Sequence, residues 1–586
     1  MPTLNWIGKD KVINHHAEVP FRVLDHKYGY RGDNLSDTSE THSGNKIIHG
    51  DNLEALKALL PEYEGKIDCI YIDPPYNTGN EGWVYNDNVN DPHIKKWLGE
   101  VVGAEGEDLS RHDKWLCMMY PRLRLLHQLL SSNGVIFISI DDNECENLKL
   151  ICDEIFGRSC FVANVSWQRT YSPRNDSKGI VSEVEHILVY SKSSEWQPNK
   201  LPRTQEMDSL YKNPDNDTIA WTSDNPCAPG AKTHQGMVYA IQHPFTGEML
   251  YPYTGSCWRY QQDEMFSIMN GWCEYELKDL HDEERRAEVC GVSSNEVRTG
   301  VLGIVLKEDL KTSKQKAQEI MKRGQWPKYY FTKNGKGGMR RKTYLTNVQG
   351  RVPTNLWQFS EVGHTDEAKK ELMAIFGGKS PFDTPKPTRL LERILTIATQ
   401  KDSIVLDSFA GSGTTAHAIM KKNKEDGGNR KFVLVELMDY AETITAERVR
   451  KVITGYGEDK KAKEGMGGSF DYYELGEPLF KNKEELNENI GIEKMREYIY
   501  YTETHEYLTR KQDAKYPYLL DYLDGTGYFF YYEPDKVTTL SHETLSIIPR
   551  KANHFLIYAD LCNISKEQLA EMNITFKKIP RDINRF

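Results

Sequence analysis

The tetrapeptide Asp73-Pro74-Pro75-Tyr76 puts a carboxylate, two rigid prolines and an aromatic ring into one short span. It follows the apolar run 68–72, so it stands at the carboxyl end of a predicted strand, where open α/β sheets hold ligands. The prolines stop the ladder and stiffen the loop. This arrangement suits an aromatic amine. The lone pair of a base's exocyclic amino nitrogen is conjugated into the ring and attacks poorly. A carboxylate and a backbone carbonyl that accept its two N–H groups pull the nitrogen toward tetrahedral geometry and free the lone pair for in-line attack on a methyl sulfonium. Asp73 would supply the carboxylate and Pro74 the carbonyl. Pro75 would help make them converge, and Tyr76 would stack on a base taken out of its duplex. A plain surface turn could use the same four residues. The following Asn77-Thr78-Gly79 and a second motif favour the chemical reading.

That second motif is the segment Asp407-Ser-Phe409-Ala410-Gly411-Ser-Gly413-Thr414-Thr415, which ends a predicted strand and opens a helix. Glycines there let the backbone approach a ligand closely. Glu436 ends the next predicted strand, 23 residues after Gly413, where an acid can hold ribose hydroxyls. Taken alone, the loop also fits a dinucleotide fingerprint, Gly411-x-Gly413-x-x-Ala416, or a bare strand-to-helix turn. A nicotinamide oxidoreductase would leave Asp73 to Tyr76 unexplained.

The elements that must carry these motifs are visible in the apolar periodicity. Residues 46–49, 68–72, 134–140, 161–167 and 186–190 read as strands. Residues 53–60 and 115–130 read as helices, the second closed by a C-cap at Ser131-Ser-Asn-Gly134. After residue 376 the alternation resumes, with a helix at 388–399, strands at 403–406 and 431–435, and a helix at 441–454. The expected fold is an α/β doubly wound, parallel, Rossmann-like sheet split by an insert. The expected organisation is a first catalytic part over 1–190, an inserted domain over 191–376, a second catalytic part over 377–455 and a C-terminal α+β domain over 456–586. A glycine-containing charged stretch, 455–468, reads as the linker to that last, acidic and tyrosine-rich domain.

The 586 residues carry a net charge of −11, so any nucleic-acid surface must be local. Residues 321–345 offer one, with eight basic side chains and no acidic one. Lys333, Lys336, Arg340, Arg341 and Lys342 are its candidate DNA contacts, and Trp326, Tyr329, Tyr330, Phe331 and Tyr344 lie among them. The ten cysteines form no CxxC pair and no zinc spacing, so no metal is expected. No run approaches the ~20 apolar residues of a membrane helix, and the first ten residues lack a signal pattern. The expectation is a cytoplasmic protein.

These motifs resemble those of the β-class amino-methyltransferases of DNA, in which the catalytic tetrapeptide precedes a target-recognition domain and the Phe-x-Gly-x-Gly loop. More closely, the chain resembles the modification subunit of type III restriction-modification systems. The likeness is carried by Gly50-Asp-Asn-Leu-Glu-Ala-Leu-Lys57, Ile70 to Gly79, Val135 to Glu144, Phe382-Asp-Thr-Pro-Lys-Pro387 and Asp407 to Thr415, and covers the catalytic halves. It implies a circularly permuted methyltransferase sheet and transfer of a methyl group from S-adenosyl-L-methionine to adenine N6 in double-stranded DNA by base flipping. It implies Asp73 to Tyr76 as the catalytic residues. Asp51, Asn52, Lys386, Asp407, Phe409, Ala410, Gly411, Gly413, Thr414 and Glu436 would bind the cofactor. Asp51 also reads as a helix N-cap. A homodimer and a helicase-nuclease partner are implied too. No GxxxxGK[ST] loop is present, so ATP-driven cleavage would belong to that partner. Cytosine-N4 methylation uses the same amine chemistry, although Asp at the first motif position favours adenine within the family. A recognition module that places a partner nuclease is the alternative outside the enzyme class.

Overall fold

Ile47, Ile48, Ile70, Ile72, Val405, Leu406, Val433 and Val435 are all at most 1% exposed, and they lie on short strands with no polar alternation. Strands buried on both faces have that composition, which is why they assemble into a parallel sheet covered by helices. A computed structural model describes residues 3–32, 39–78, 100, 111–172, 180–348, 350–457, 462–481, 485–512, 514–549 and 552–581. The chain divides into two compact units, one of residues 1–199 with 353–586, the other of residues 200–352.

Among the described residues the main sheet of the first unit has ten strands: β1 (Arg22–Tyr30), β2 (Lys46–His49), β3 (Ile67–Ile72), β4 (Leu130–Ile140), β5 (Phe161–Gln168), β6 (Val184–Ser191), β7 (Leu356–Trp357), β8 (Ile404–Asp407), β9 (Lys431–Glu436) and β10 (Phe470–Pro478). Their order across the sheet is β1-β10-β2-β9-β8-β3-β4-β6-β5-β7. From β10 to β4 every neighbouring pair is parallel. The chain moves outward from β8 through β9 on one side and from β3 to β4 on the other. The β3–β8 boundary is therefore a topological switch point, with Val405 opposite Cys69 and Leu406 opposite Ile70.

The sheet departs from the purely parallel expectation. β6 runs antiparallel to both β4 and β5, and β1 is antiparallel to β10. The described residues between β5 and β6 contain no crossover helix, and a return without one pairs strands antiparallel. Gly134 is a second correction. The helix Arg111–Leu129 passes directly into β4, and Ser131 to Gly134 form an irregular entry into that strand rather than a C-cap. A Cβ on Gly134 would lie 2.8 Å from the Ile67 carbonyl oxygen, so glycine there serves close strand approach.

Residues 470–478, which composition places beyond a linker, form β10 between β1 and β2. Its start, Phe470 to Tyr473, is buried, and apolar burial outweighed the charged, glycine-rich residues before it. Residues 353–376 also pack with the first unit, including the helix Thr365–Ile375, whose Ala368, Leu372 and Ile375 are buried. Beyond β10 the first unit continues into a four-stranded sheet of Leu519–Leu523, Thr526–Phe530, His554–Ala559 and Ile574–Lys578. The second unit is built on small sheets around an aromatic core that includes Trp258, Trp272, Tyr329 and Phe331. Among the described residues no helix is long and apolar enough to cross a membrane.

Candidate active site

Four neighbouring strands, β2, β9, β8 and β3, end side by side, and each releases one part of the site: Asp51, Glu436, the glycine loop and Asp73. The loop after β3 is fixed from behind. Trp115 Nε1 donates to the Pro75 carbonyl at 2.7 Å. Asn77 adopts a left-handed φ of 60°. It donates to the buried carboxylate of Glu144, which also accepts from Asn147 at 2.8 Å and lies 2.6 Å from His112 Nδ1. Gly79 lies outside the described residues.

In front of that support, Asp73 takes Lys386 Nζ on both carboxylate oxygens, each at 2.6 Å. The Tyr76 hydroxyl lies within donating distance of Asp73 Oδ1, at 2.9 Å, and of Glu185 Oε2, at 3.1 Å. Arg169 donates to the other oxygen of Glu185 at 2.8 Å. Lys386 Nζ stands 3.8 Å from Glu185 and 5.0 Å from the centre of the Tyr76 ring. Burial pushes the Asp73 carboxyl up, and the Lys386 ammonium opposes that shift. Pro74, Pro75 and Tyr76 are buried.

The glycine loop between β8 and the helix Thr414–Asp426 is a rigid cradle. Gly411 and Gly413 have φ of 51° and 75°. A Cβ on Gly413 would approach the Thr445 carbonyl oxygen to 3.0 Å. Asp407 closes the loop on itself by accepting from Phe409 N–H at 3.1 Å and from the Thr415 hydroxyl at 2.5 Å. Thr445 donates to the Gly411 carbonyl at 2.6 Å. The buried Arg448 donates to Thr414 Oγ1 at 2.7 Å and to Ser412 Oγ at 3.1 Å. Thr414 thus turns its hydroxyl toward this support.

Glu436 accepts from the Gly411 and Met438 N–H groups at 2.7 and 3.0 Å. Burial pushes both Glu436 and Asp407 up to about 7. Asp51 caps the helix Asn52–Tyr63 by accepting from Leu53 N–H at 2.7 Å. Asn52 donates to the Ser408 carbonyl at 3.0 Å and accepts from buried Arg122 at 2.5 Å, which ties that helix start to the glycine loop. Close-approach glycines beside two carboxylates fit a nucleoside with a diol, because acids accept hydroxyl protons and glycine leaves room for the ligand.

The sequence-predicted residues of the two motifs therefore converge, along with Asp51, Asn52 and Lys386. Lys386 engages Asp73. Sequence reasoning missed Glu185, Arg169, Glu144, Arg122 and Arg448. Glu185 stands at the start of a strand whose place beside β4 depends on an antiparallel return that the apolar pattern does not encode.

The basic stretch of the second unit needs correction. Lys342 is 1% exposed and donates to Asp217 at 2.7 Å, to the Trp326 carbonyl at 2.7 Å and to Asp215 at 2.5 Å. It cannot reach a phosphate. Tyr329, Tyr330 and Phe331 are core residues, not a stacking surface. Arg341 is engaged by Asp224, and Arg340 Nε lies 3.2 Å from Ser223 Oγ. Lys333 and Lys336 are exposed.

A family model described as DNA methylase, N6_N4_Mtase, matches residues 67–504. The chain is 34% identical over 445 residues to the type III restriction-modification enzyme StyLTI Mod subunit of Salmonella typhimurium strain LT2, covering 74% of this chain and 57% of that one. It is 30% identical over 469 residues to the EcoPI Mod subunit of Escherichia phage P1, covering 74% and 63%. It is also 30% identical over 424 residues to the type II methyltransferase M.KpnI of Klebsiella pneumoniae, covering 70% and 84%. The chain thus spans about three fifths of the length of the two Mod subunits. With the family model matched over most of its length, the chain belongs to the N6_N4_Mtase family of DNA methylases.

Proposed function

We propose that this chain transfers a methyl group from S-adenosyl-L-methionine to the N6 amino group of an adenine extruded from double-stranded DNA, as the modification subunit of a type III restriction-modification system. The observation that carries the reading is the pairing of β3 with β8, which brings Asp73 and the glycine loop to one switch point although 313 residues separate Asp73 from Lys386 alone. The chain order, Asp73 strand first and glycine-loop strand later, is read as a circular permutation. Residues 200–352 are assigned to target recognition.

Glu436 would hold the ribose hydroxyls, with Phe409, Ala410, Gly411, Gly413, Asp407, Asp51 and Asn52 forming or supporting the nucleoside cradle. The cofactor supplies an electrophilic methyl sulfonium when bound. Asp73 and the Pro74 carbonyl accept the two N–H groups of the target amine and localise its lone pair. Tyr76 offers its ring to the extruded base. Pro75, pinned by Trp115, keeps both acceptors in register. Lys333 and Lys336 are the retained candidates for phosphate contact, with Arg340 and Arg341 available only after leaving Ser223 and Asp224.

A homodimer and a helicase-nuclease partner complete the proposal, the latter because two of the relatives above are named as Mod subunits of type III restriction-modification enzymes. Sequencing that reports modified bases in DNA from cells with and without the gene tests the reading. N6-methyladenine at one recurrent motif supports it, and N4-methylcytosine or no new mark overturns it.

A further inference from the structure

Lys386 makes both contacts that the target base must make. Its ammonium occupies the two oxygens of Asp73 at 2.6 Å and lies over the Tyr76 ring at 5.0 Å. A base that stacks on Tyr76 and donates to Asp73 needs the space the ammonium holds, so the ammonium must move aside. Removing it outright would strand two charges in a largely buried site, at a cost of several kcal/mol per ion. The pocket contains an alternative partner. Glu185 Oε2 is 3.8 Å from Lys386 Nζ, and a shift of about 1 Å would bring the pair to charge-assisted bonding distance. Glu185 is itself 6% exposed and held by Arg169 through its other oxygen, so the Oε2 side faces the lysine. The Tyr76 hydroxyl bridges the two carboxylates and marks the same short path.

We propose that Lys386 is a placeholder for the extruded base and that Glu185 is a positioning residue that receives its ammonium when the base enters. This inference rests on the reading of the Asp73 pocket as the target-base site. In the waiting state Asp73 is neutralised by Lys386 and Glu185 by Arg169. On entry the neutral amine donates to the Asp73 carboxylate while Lys386 joins Arg169 on Glu185, so each charged group keeps a hydrogen-bond partner within the pocket. No bond is made or broken in the exchange.

The test reads base extrusion without cofactor, as permanganate reactivity of the thymine opposite the target adenine in a duplex that carries the recognised motif. Glu185→Gln removes the receiving charge while keeping the shape. It should lower extrusion about tenfold or more at unchanged overall DNA affinity, and lower kcat more than it raises KM. Lys386→Met removes the placeholder and should raise extrusion above the parent. The double variant should behave as Lys386→Met alone, a rescue that a merely structural role for Glu185 would not produce. Additive effects in the double variant, or a loss of extrusion in Lys386→Met, would overturn the exchange. If Glu185→Gln does not fold, the rise expected for Lys386→Met decides alone. Adenine methylation by the parent in the same preparation reports on the proposed function separately. A parent that methylates adenine, with additive variants, sinks only the Lys386–Glu185 exchange.

Discussion

Two lysines of this molecule, one buried and one partly buried, sit among carboxylates and aromatic rings. In the second unit, Lys342 is sealed. Asp215, Asp217 and the Trp326 carbonyl take its ammonium, and Asp215 accepts in addition from the Trp221 indole and the Trp326 N–H, both at 2.8 Å. In the first unit, Lys386 has two carboxylates within 3.8 Å, and a tyrosine hydroxyl is shared between them. Its side chain keeps 10% exposure and that of Asp73 17%, whereas Lys342 and Asp215 have none. A sealed cluster with each donor matched to an acceptor fixes a fold. A cluster with two acceptors in competition, at the switch point of a sheet, can exchange partners. Residue type alone does not separate structure from function here; surplus acceptors and a route to solvent do.

The largest way to break the comparison is Lys342→Ala. It strands Asp215 in the core and should cost about 3–5 kcal/mol of stability of the second unit. Chemical denaturation measures this, and a loss below about 1 kcal/mol would mean that the cluster is not sealed. Gly413→Ala comes next. A side chain at φ of 75°, 3.0 Å from the Thr445 carbonyl oxygen, should cost about 1–2 kcal/mol and weaken cofactor binding without touching Asp73. Unchanged affinity by calorimetry would show that the loop does not need this conformation.

The coupled acids Asp407 and Glu436 give a pH prediction, since burial raises both to about 7. Their folded-state protonation contributes stability that is full below the usual carboxylate range and is lost as pH rises through about 7, so the ligand-free protein should be less thermostable at pH 8 than at pH 6. A diol bound to Glu436 favours the carboxylate. S-adenosylhomocysteine should therefore bind more tightly as pH rises from 6 to 8, by about tenfold in all, with proton release in calorimetry. A flat profile contradicts the role of Glu436. The smallest effect belongs to the exposed pair. Lys333→Ala with Lys336→Ala should reduce the salt slope of DNA binding by about one per lost phosphate contact, while Lys342 contributes nothing to that slope.

The two motifs were legible because each packs its chemistry into contiguous residues: a strand, then acid, prolines and tyrosine, or a strand, then glycines and a helix. The helix cap at Asp51 and the boundaries of β2, β3, β8 and β9 were legible for the same local reason. What failed was non-local. Lys386 meets Asp73 across 313 residues, and Glu185 reaches Tyr76 across 109, through strand pairings that periodicity does not encode. The basic stretch misled because a run of basic residues does not show which of them meet carboxylates inside the fold. Lys342 points into the core from the same strand, Met339–Tyr344, that leaves Arg340 and Arg341 partly exposed.

In the proposed reaction Asp73 activates the target amine beside the cofactor cradle. Single-turnover methylation of duplex DNA by Asp73→Ala, with S-adenosylhomocysteine affinity measured on the same sample, tests it most directly. The predicted result is a fall in rate of about 10²–10³-fold or more with cofactor affinity retained. Methylation at the parent's rate would contradict the assignment of Asp73.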